Sequence, residues 1–250
     1  MHIGIASETI FNIGEFAVTN TLLTSWLVLL VILVLAFIVS RNIKAVPGRI
    51  QALTEIILEK FMGFMETFAG SKELVRKFLP VVATIFFFVL FSNWMGTLPG
   101  FESIGFHRFE DGHEIFVPLF RTVNSDLNMT IALAFIIVIG SHIVGFSTIG
   151  AKHHTGKFIV NPLKSPIKSF VGFLEIIGEL SRVVSLSFRL FGNIFAGSVL
   201  MLIISFLAPY IIPIPFLGLE VFVGFIQALV ISVLAMMFFS SATHVHEEEH

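Results

Sequence analysis

"SLSFRLFGNIFAGS" (185–198) places a permanently charged group inside a stretch that otherwise reads as a membrane span. Arg189 follows Phe188 and precedes Leu190 and Phe191, with no acid three or four residues away on either side. The apolar region around it, 169–208, carries Glu175, Glu179, Arg182 and Arg189 as its charged residues. As one helix it would reach roughly 60 Å, about twice the hydrocarbon thickness of a bilayer, so it must tilt, bend or project. Guanidinium keeps its proton in proteins, so Arg189 cannot itself hand one on. At the bilayer centre such a charge costs about 3 kcal/mol or more, and a cost of that size calls for an offsetting anion.

The composition puts the whole chain in lipid. Of 250 residues 56% are hydrophobic and 13% charged, with a mean hydropathy of +0.95. A soluble domain carries about twice that share of charge. A net charge of −2 argues against nucleic acid. The lack of cysteine excludes disulfides, thiolate metal sites and cysteine nucleophiles. The expected fold is an all-α integral membrane protein, a single membrane domain. Its membrane-crossing helices fall at about 18–40, 78–98, 127–149, 169–208 and 216–243. Pro209, Pro213 and Pro215 break the chain between the last two, which form a long tilted antiparallel hairpin. The first run is too long for a signal-peptide core and is preceded by Glu8 and Glu15 instead of basic residues, so it reads as a retained span.

Basic residues set the orientation. Arg41, Lys44, Arg49, Lys60, Lys72, Arg76 and Lys77 lie between the first two spans, and Lys152, Lys157, Lys164 and Lys168 between the third and fourth. The N-terminal segment has none, and the 102–126 loop has Arg108 and Arg121. The positive-inside rule then puts the N-terminus outside and the C-terminus in the cytoplasm. Within the first inner loop, 49–69 repeats Ile50, Leu53, Ile57, Phe61, Phe64 and Phe68 at helical spacing, with Gln51, Glu55, Glu59 and Glu66 on the other side. That pattern predicts an amphipathic helix at the inner membrane surface, or one packed on the protein.

Arg189 has no obvious partner in its own chain. Glu179 and Glu175 lie roughly 15 and 21 Å inward along the same helix, and Arg182 stands nearer to both. Ser185, Gly192, Asn193 and Ala196 share its face, which is small and polar and admits close approach of another helix, from this chain or a second one. Outward lie Ser198, then Glu220 and Gln227 on one face of the last helix; His142 sits within the third span and Asp126 at its outer edge. Inward lie Glu175 and Glu179. Intramembrane carboxylates and imidazoles are the usual parts of proton paths, and here they fall on both sides of a fixed cation. For His142 alone the plainer reading is a satisfied interhelical hydrogen bond, and for Asp126 a helix cap is the alternative to a proton entry. Simple antiparallel pairing through the 209–216 turn sets Gln227 opposite about residue 196, roughly two turns from Arg189.

"SLSFRLFGNIFAG" closely resembles the signature of the membrane stator subunit a of F-type rotary ATP synthases. "TNTLLTSWLVLLVILVLAF", "LFSNWMGTLPGF" and "FVGFIQALVISVL" are similar to that family's first, second and last spans, so the likeness covers most of the chain. The resemblance implies a non-catalytic, proton-translocating subunit of a bacterial inner membrane. Its partners would be the c-ring, the b subunits of the peripheral stalk and other synthase subunits. Arg189 matches the essential arginine facing the ring carboxylates between two half-channels. Asn193 and Gln227 match polar positions near it, and Glu175 an acidic position by the inner half-channel. The family pairs Glu and His across the positions of Ser198 and Glu220. Here Glu220 supplies the acid and Ser198 stands for the partner, leaving a water, His142 or Asp126 to complete the outer path. The carried ion would be the proton, with sodium left open because the ring holds the ion site. No cofactor or metal is implied. The HVHEEEH ending with His153 and His154 reads as solvated polar chain, not a metal site. A stand-alone ion channel or secondary transporter is the competing reading, and a structural membrane adaptor a third.

Overall fold

The structure is a computed structural model and describes residues 7–41, 43–110, 113–150, 166–208 and 210–243. Lys152, Lys157, Lys164, His153, His154 and the HVHEEEH ending fall outside the described residues. Five helices are long and apolar enough to cross a membrane: α1 (Asn20–Arg41), α3 (Lys72–Gly96), α4 (Leu127–Ile149), α5 (Pro166–Leu207) and α6 (Pro213–Ser241). A sixth helix, α2 (Arg49–Ala69), lies between the first two. The fold is therefore that of an all-α membrane protein, with two small hairpins added.

Local signals set the helix ends. Gly70, at φ 70°, closes α2 by returning its N–H to the Glu66 carbonyl at 3.2 Å, a left-handed turn that glycine makes without strain. Ser71 then caps α3, its side chain accepting from the Glu73 N–H at 3.2 Å, with Glu73 offsetting the positive helix end. This cap starts α3 at Lys72, earlier than the charge-free run beginning near 78 suggests. Helix-end chemistry tolerates Lys72, Arg76 and Lys77 where a lipid-solubility criterion would not.

Helices α3, α4 and α6 enclose the core, with α5 laid against α4 and α6. Val82, Phe86, Val89, Ile137, Leu186, Leu190, Ile231, Ala235, Met236 and Phe239 are buried in it. Helix α2 is sided in three. Phe61, Met65 and Ala69 pack on the bundle, Ile50, Leu53, Ile57, Phe64 and Phe68 are exposed, and Glu55 and Glu59 point away from both. Phe61 thus belongs to the protein-facing stripe, and the exposed apolar stripe is the one left for lipid.

Two β-hairpins were not foreseen. Strands β1 (Thr9–Ile13) and β2 (Phe16–Thr19) pair antiparallel, as do β3 (Gly105–Glu110) and β4 (His113–Pro118). Arg108 Nη2 donates to the Ile10 carbonyl at 3.2 Å and Asn20 Nδ2 to the Pro118 carbonyl at 3.4 Å, which ties the second hairpin to the first and to the start of α1. Both hairpins and the α5–α6 turn belong to one end of the bundle, here the hairpin side. Helix α2 marks the other, the α2 side.

Candidate functional site

Helix α5 carries the site because one of its faces is left open. Only 11% of its most apolar window is buried, against 44% for α3. Val183, Leu186, Ser187, Leu190 and Ile194 form its buried stripe. A turn around the helix from them, Ser185, Arg189, Gly192, Asn193 and Ala196 are exposed. Arg189 Nη2 reaches Ser185 Oγ at 3.4 Å, and among the described residues no carboxylate comes within ion-pair distance of the guanidinium. A cation at mid-helix, flanked by the exposed Phe188 and left without a carboxylate, is thus presented outward by this chain.

On the hairpin side of Arg189, α5 and α6 enclose a cleft of about 180 Å³. Asn193, Gly197 and Glu220 supply its polar and open wall, with Ile194, Leu200, Met201 and Val223 among the rest. A Cβ on Gly197 would sit 3.1 Å from Glu220 Oε1, so this glycine is what lets the carboxyl lie against α5. Ser198, next to it, donates to the Ile194 carbonyl at 3.0 Å. Helix α6 is held in place by α3: Asn93 Nδ2 donates to the Gly224 carbonyl at 3.0 Å and Trp94 Nε1 to the Val221 carbonyl at 3.1 Å. Asn124 in turn donates to Asn93 Oδ1 at 2.7 Å. Beyond Asn93, Glu102 Oε1 accepts from Thr122 Oγ1 at 3.2 Å. Asn93 and Trp94 are positioning groups that sequence reading passed over. Their signal was a polar Ser-Asn-Trp step at the end of an apolar run.

The hairpin register differs from simple pairing. Gly197 lies about ten residues before the end of α5, yet it meets Glu220, about seven after the start of α6. The last turn of α5 overhangs α6, leaving Phe206, Leu207 and Tyr210 highly exposed. Counting onward from Glu220 at equal rise places Gln227 level with about residue 190, beside Arg189, and not with 196. The Gln227 Oε1 atom is buried there without a hydrogen-bond partner among the described residues.

The remaining groups divide differently from expectation. Asp126 is buried and caps α4, its Oδ1 accepting from the Asn128 N–H at 2.9 Å and its Oδ2 from Thr21 Oγ1 at 2.9 Å. Asp126→Ala is expected to cost about 2 kcal/mol, from the lost cap and an orphaned hydroxyl, read as earlier thermal unfolding in detergent. His142 is placed on the α2 side of Arg189, with its Nε2 3.7 Å from Glu179 Oε2. Glu179 also pairs with Arg182, whose guanidinium lies 5.2 Å above the Phe238 ring. Glu175, half-buried, stands one turn from Glu179. The structure thus brings Asn193 and Glu220 to one cleft between α5 and α6, with Ser198 beside it, and joins His142 to Glu179 and Arg182 on the opposite side of Arg189.

Comparison with known proteins accords with this arrangement. The family model of the ATP synthase A chain matches residues 22–240. "ATP synthase subunit a" of Campylobacter concisus is 36% identical over 225 residues, covering 90% of this chain and 89% of that protein. The subunit of the same name from Syntrophobacter fumaroxidans is 33% identical over 97% of this chain and 92% of its own length, and that of Mycobacterium ulcerans 32% over 93% and 90%. With a match that runs from the first membrane helix to the last, the chain belongs to the ATP synthase A chain family, the non-catalytic, proton-translocating stator subunit of the synthase.

Proposed function

We propose that Arg189 is the electrostatic divider between two proton half-paths and that it faces the carboxylates of a rotating c-ring. The observation that carries this reading is the open guanidinium: a charge in mid-span, on the least covered of the spanning helices, with no carboxylate at ion-pair distance among the described residues. A passing rotor carboxylate is the anion that offsets it. When ionised, that carboxylate is held by Arg189. When protonated, it is released into lipid and carried round.

The α5–α6 cleft is the outer half-path in this reading, with Glu220 as its proton-binding group and Asn193 and Ser198 as polar lining toward Arg189. The Gln227 Oε1 atom, buried and without a hydrogen-bond partner among the described residues, supplies an acceptor to the guanidinium or to the rotor acid. Asp126 acts as structure at the outer edge, and Glu175 opens the inner half-path. The b subunits of the peripheral stalk hold the chain against rotation in a bacterial plasma membrane, with the N-terminus outside and the C-terminus in the cytoplasm. The energy delivered per proton is about 2.3 kcal/mol for each 100 mV.

Purification of the tagged chain from native membranes tests the reading. Small hairpin subunits bearing a mid-membrane carboxylate are expected to accompany it, and reconstituted vesicles should conduct protons only when those subunits are present. Conduction by the chain alone would instead establish a stand-alone channel.

A further inference from the structure

On the α2 side of Arg189 a second group of charges crosses three helices. Glu179 on α5 has one oxygen, Oε1, engaged by Arg182, and Arg182 is braced by the Phe238 ring of α6. The other oxygen, Oε2, is buried and accepts no hydrogen bond, though His142 Nε2 of α4 stands 3.7 Å away. An unsatisfied buried carboxylate oxygen is costly, by about 1–3 kcal/mol or more. A proton on Nε2 removes that cost, since a shift of under about 1 Å makes a charge-assisted hydrogen bond. The Glu179 side chain is 16% exposed and that of His142 26%, so the imidazole is the less enclosed of the two.

We infer that His142 and Glu179 form a proton-binding relay on the inner half-path, between Glu175 and Arg189. The inference rests on the half-path reading of Arg189. A proton from the α2-side solvent binds the imidazole, and the Nε2 proton then passes to Glu179 Oε2. The imidazole returns to its neutral form and the carboxylate becomes a neutral acid. The acid gives the proton to solvent on the side of Arg189, and the steps reverse for inward-directed flow.

Arg182 keeps Glu179 oriented and cannot take the proton itself. Glu175, one turn further toward the α2 side, is the nearest other acid on α5. His142 is the only titratable side chain on α4 and Glu220 the only one on α6, the latter at the hairpin end. No other titratable side chain on these three helices stands between Glu175 and Arg189.

The test uses the intact synthase carrying this chain, in proteoliposomes, with passive and ATP-driven proton flux as readouts. His142→Gln keeps a donor for Glu179 Oε2 but cannot bind and release a proton. It is expected to assemble normally and to conduct about a hundredfold more slowly. His142→Ala should slow likewise and recover when millimolar imidazole is supplied on the α2 side, which a packing role would not predict. Unchanged flux in His142→Gln, or an His142→Ala defect that imidazole does not relieve, overturns the relay. Arg189→Ala serves as the control: if its ATP-driven flux stays normal, the half-path reading itself fails, whereas loss of ATP-driven flux in Arg189→Ala beside unchanged flux in His142→Gln removes the relay alone.

Discussion

Arg189→Ala is expected to abolish ATP-coupled proton transfer while the chain still assembles. Assembly survives because the guanidinium is exposed and lies outside the buried stripe of α5. It lies on the exposed face of α5, touching Ser185 at 3.4 Å, and the stripe that holds α5 in the bundle is Val183, Leu186, Leu190 and Ile194. Coupling fails because an ionised rotor carboxylate at mid-membrane then has no cation. That costs about 3 kcal/mol, or roughly a hundredfold in population. Loss of the fixed positive charge also removes the barrier to direct passage between half-paths. ATP synthesis and passive proton leak, measured on the same vesicles, should therefore move in opposite directions. Synthesis at the normal rate would refute the proposed role. Arg189→Lys keeps a charge but on a single ammonium without the planar fork, so only partial recovery is expected.

Much of the fold is legible in the sequence because lipid imposes a harsh filter on charge. The runs that became α1 and α4 are free of Asp, Glu, Lys and Arg over nearly their whole length, and the prolines between α5 and α6 leave little choice of turn. Helix α2 was legible from its periodicity, but not the way it divides its apolar residues. A sequence period gives the width of an apolar face without saying which part meets protein and which meets lipid. The β-hairpins were missed because attention to span-length hydropathy hides short alternation. Asp111-Gly112, between β3 and β4, is a strong two-residue turn signal that stood in plain view.

The site was legible in its residue types and not in its grouping. Arg189 could be singled out because a lone mid-span cation is expensive wherever it sits. The depth of Gln227 depended on how far α5 overhangs α6, which the close approach at Gly197 decides and no propensity encodes. His142 is a similar case. Its position within α4 does not say which face it takes, and the facing residue proved to be Glu179 on α5. Pairwise partners across helices are set by packing, so the charged groups on the two sides of Arg189 could be counted from the sequence but not correctly sorted.

Glu220→Gln carries the second large effect. The amide has the volume of the carboxyl and can still lie in the space that Gly197 leaves, so helix packing and assembly should hold. The clamp from Asn93 and Trp94 acts on α6 backbone carbonyls and is untouched by the change. What the amide cannot do is bind and release a proton, and no second proton-binding side chain lines the cleft: its other polar member there is Asn193. Ser198, where the family resemblance led one to expect a partner, cannot store a proton either. Passive proton flux through the complex should fall by about a hundredfold or more, the usual scale for a lost acid–base group. Glu220→Asp should retain part of the flux, since the shorter acid still titrates in the same cleft. A Glu220→Gln complex that assembled and conducted normally would show that protons reach the rotor by a route outside the α5–α6 cleft.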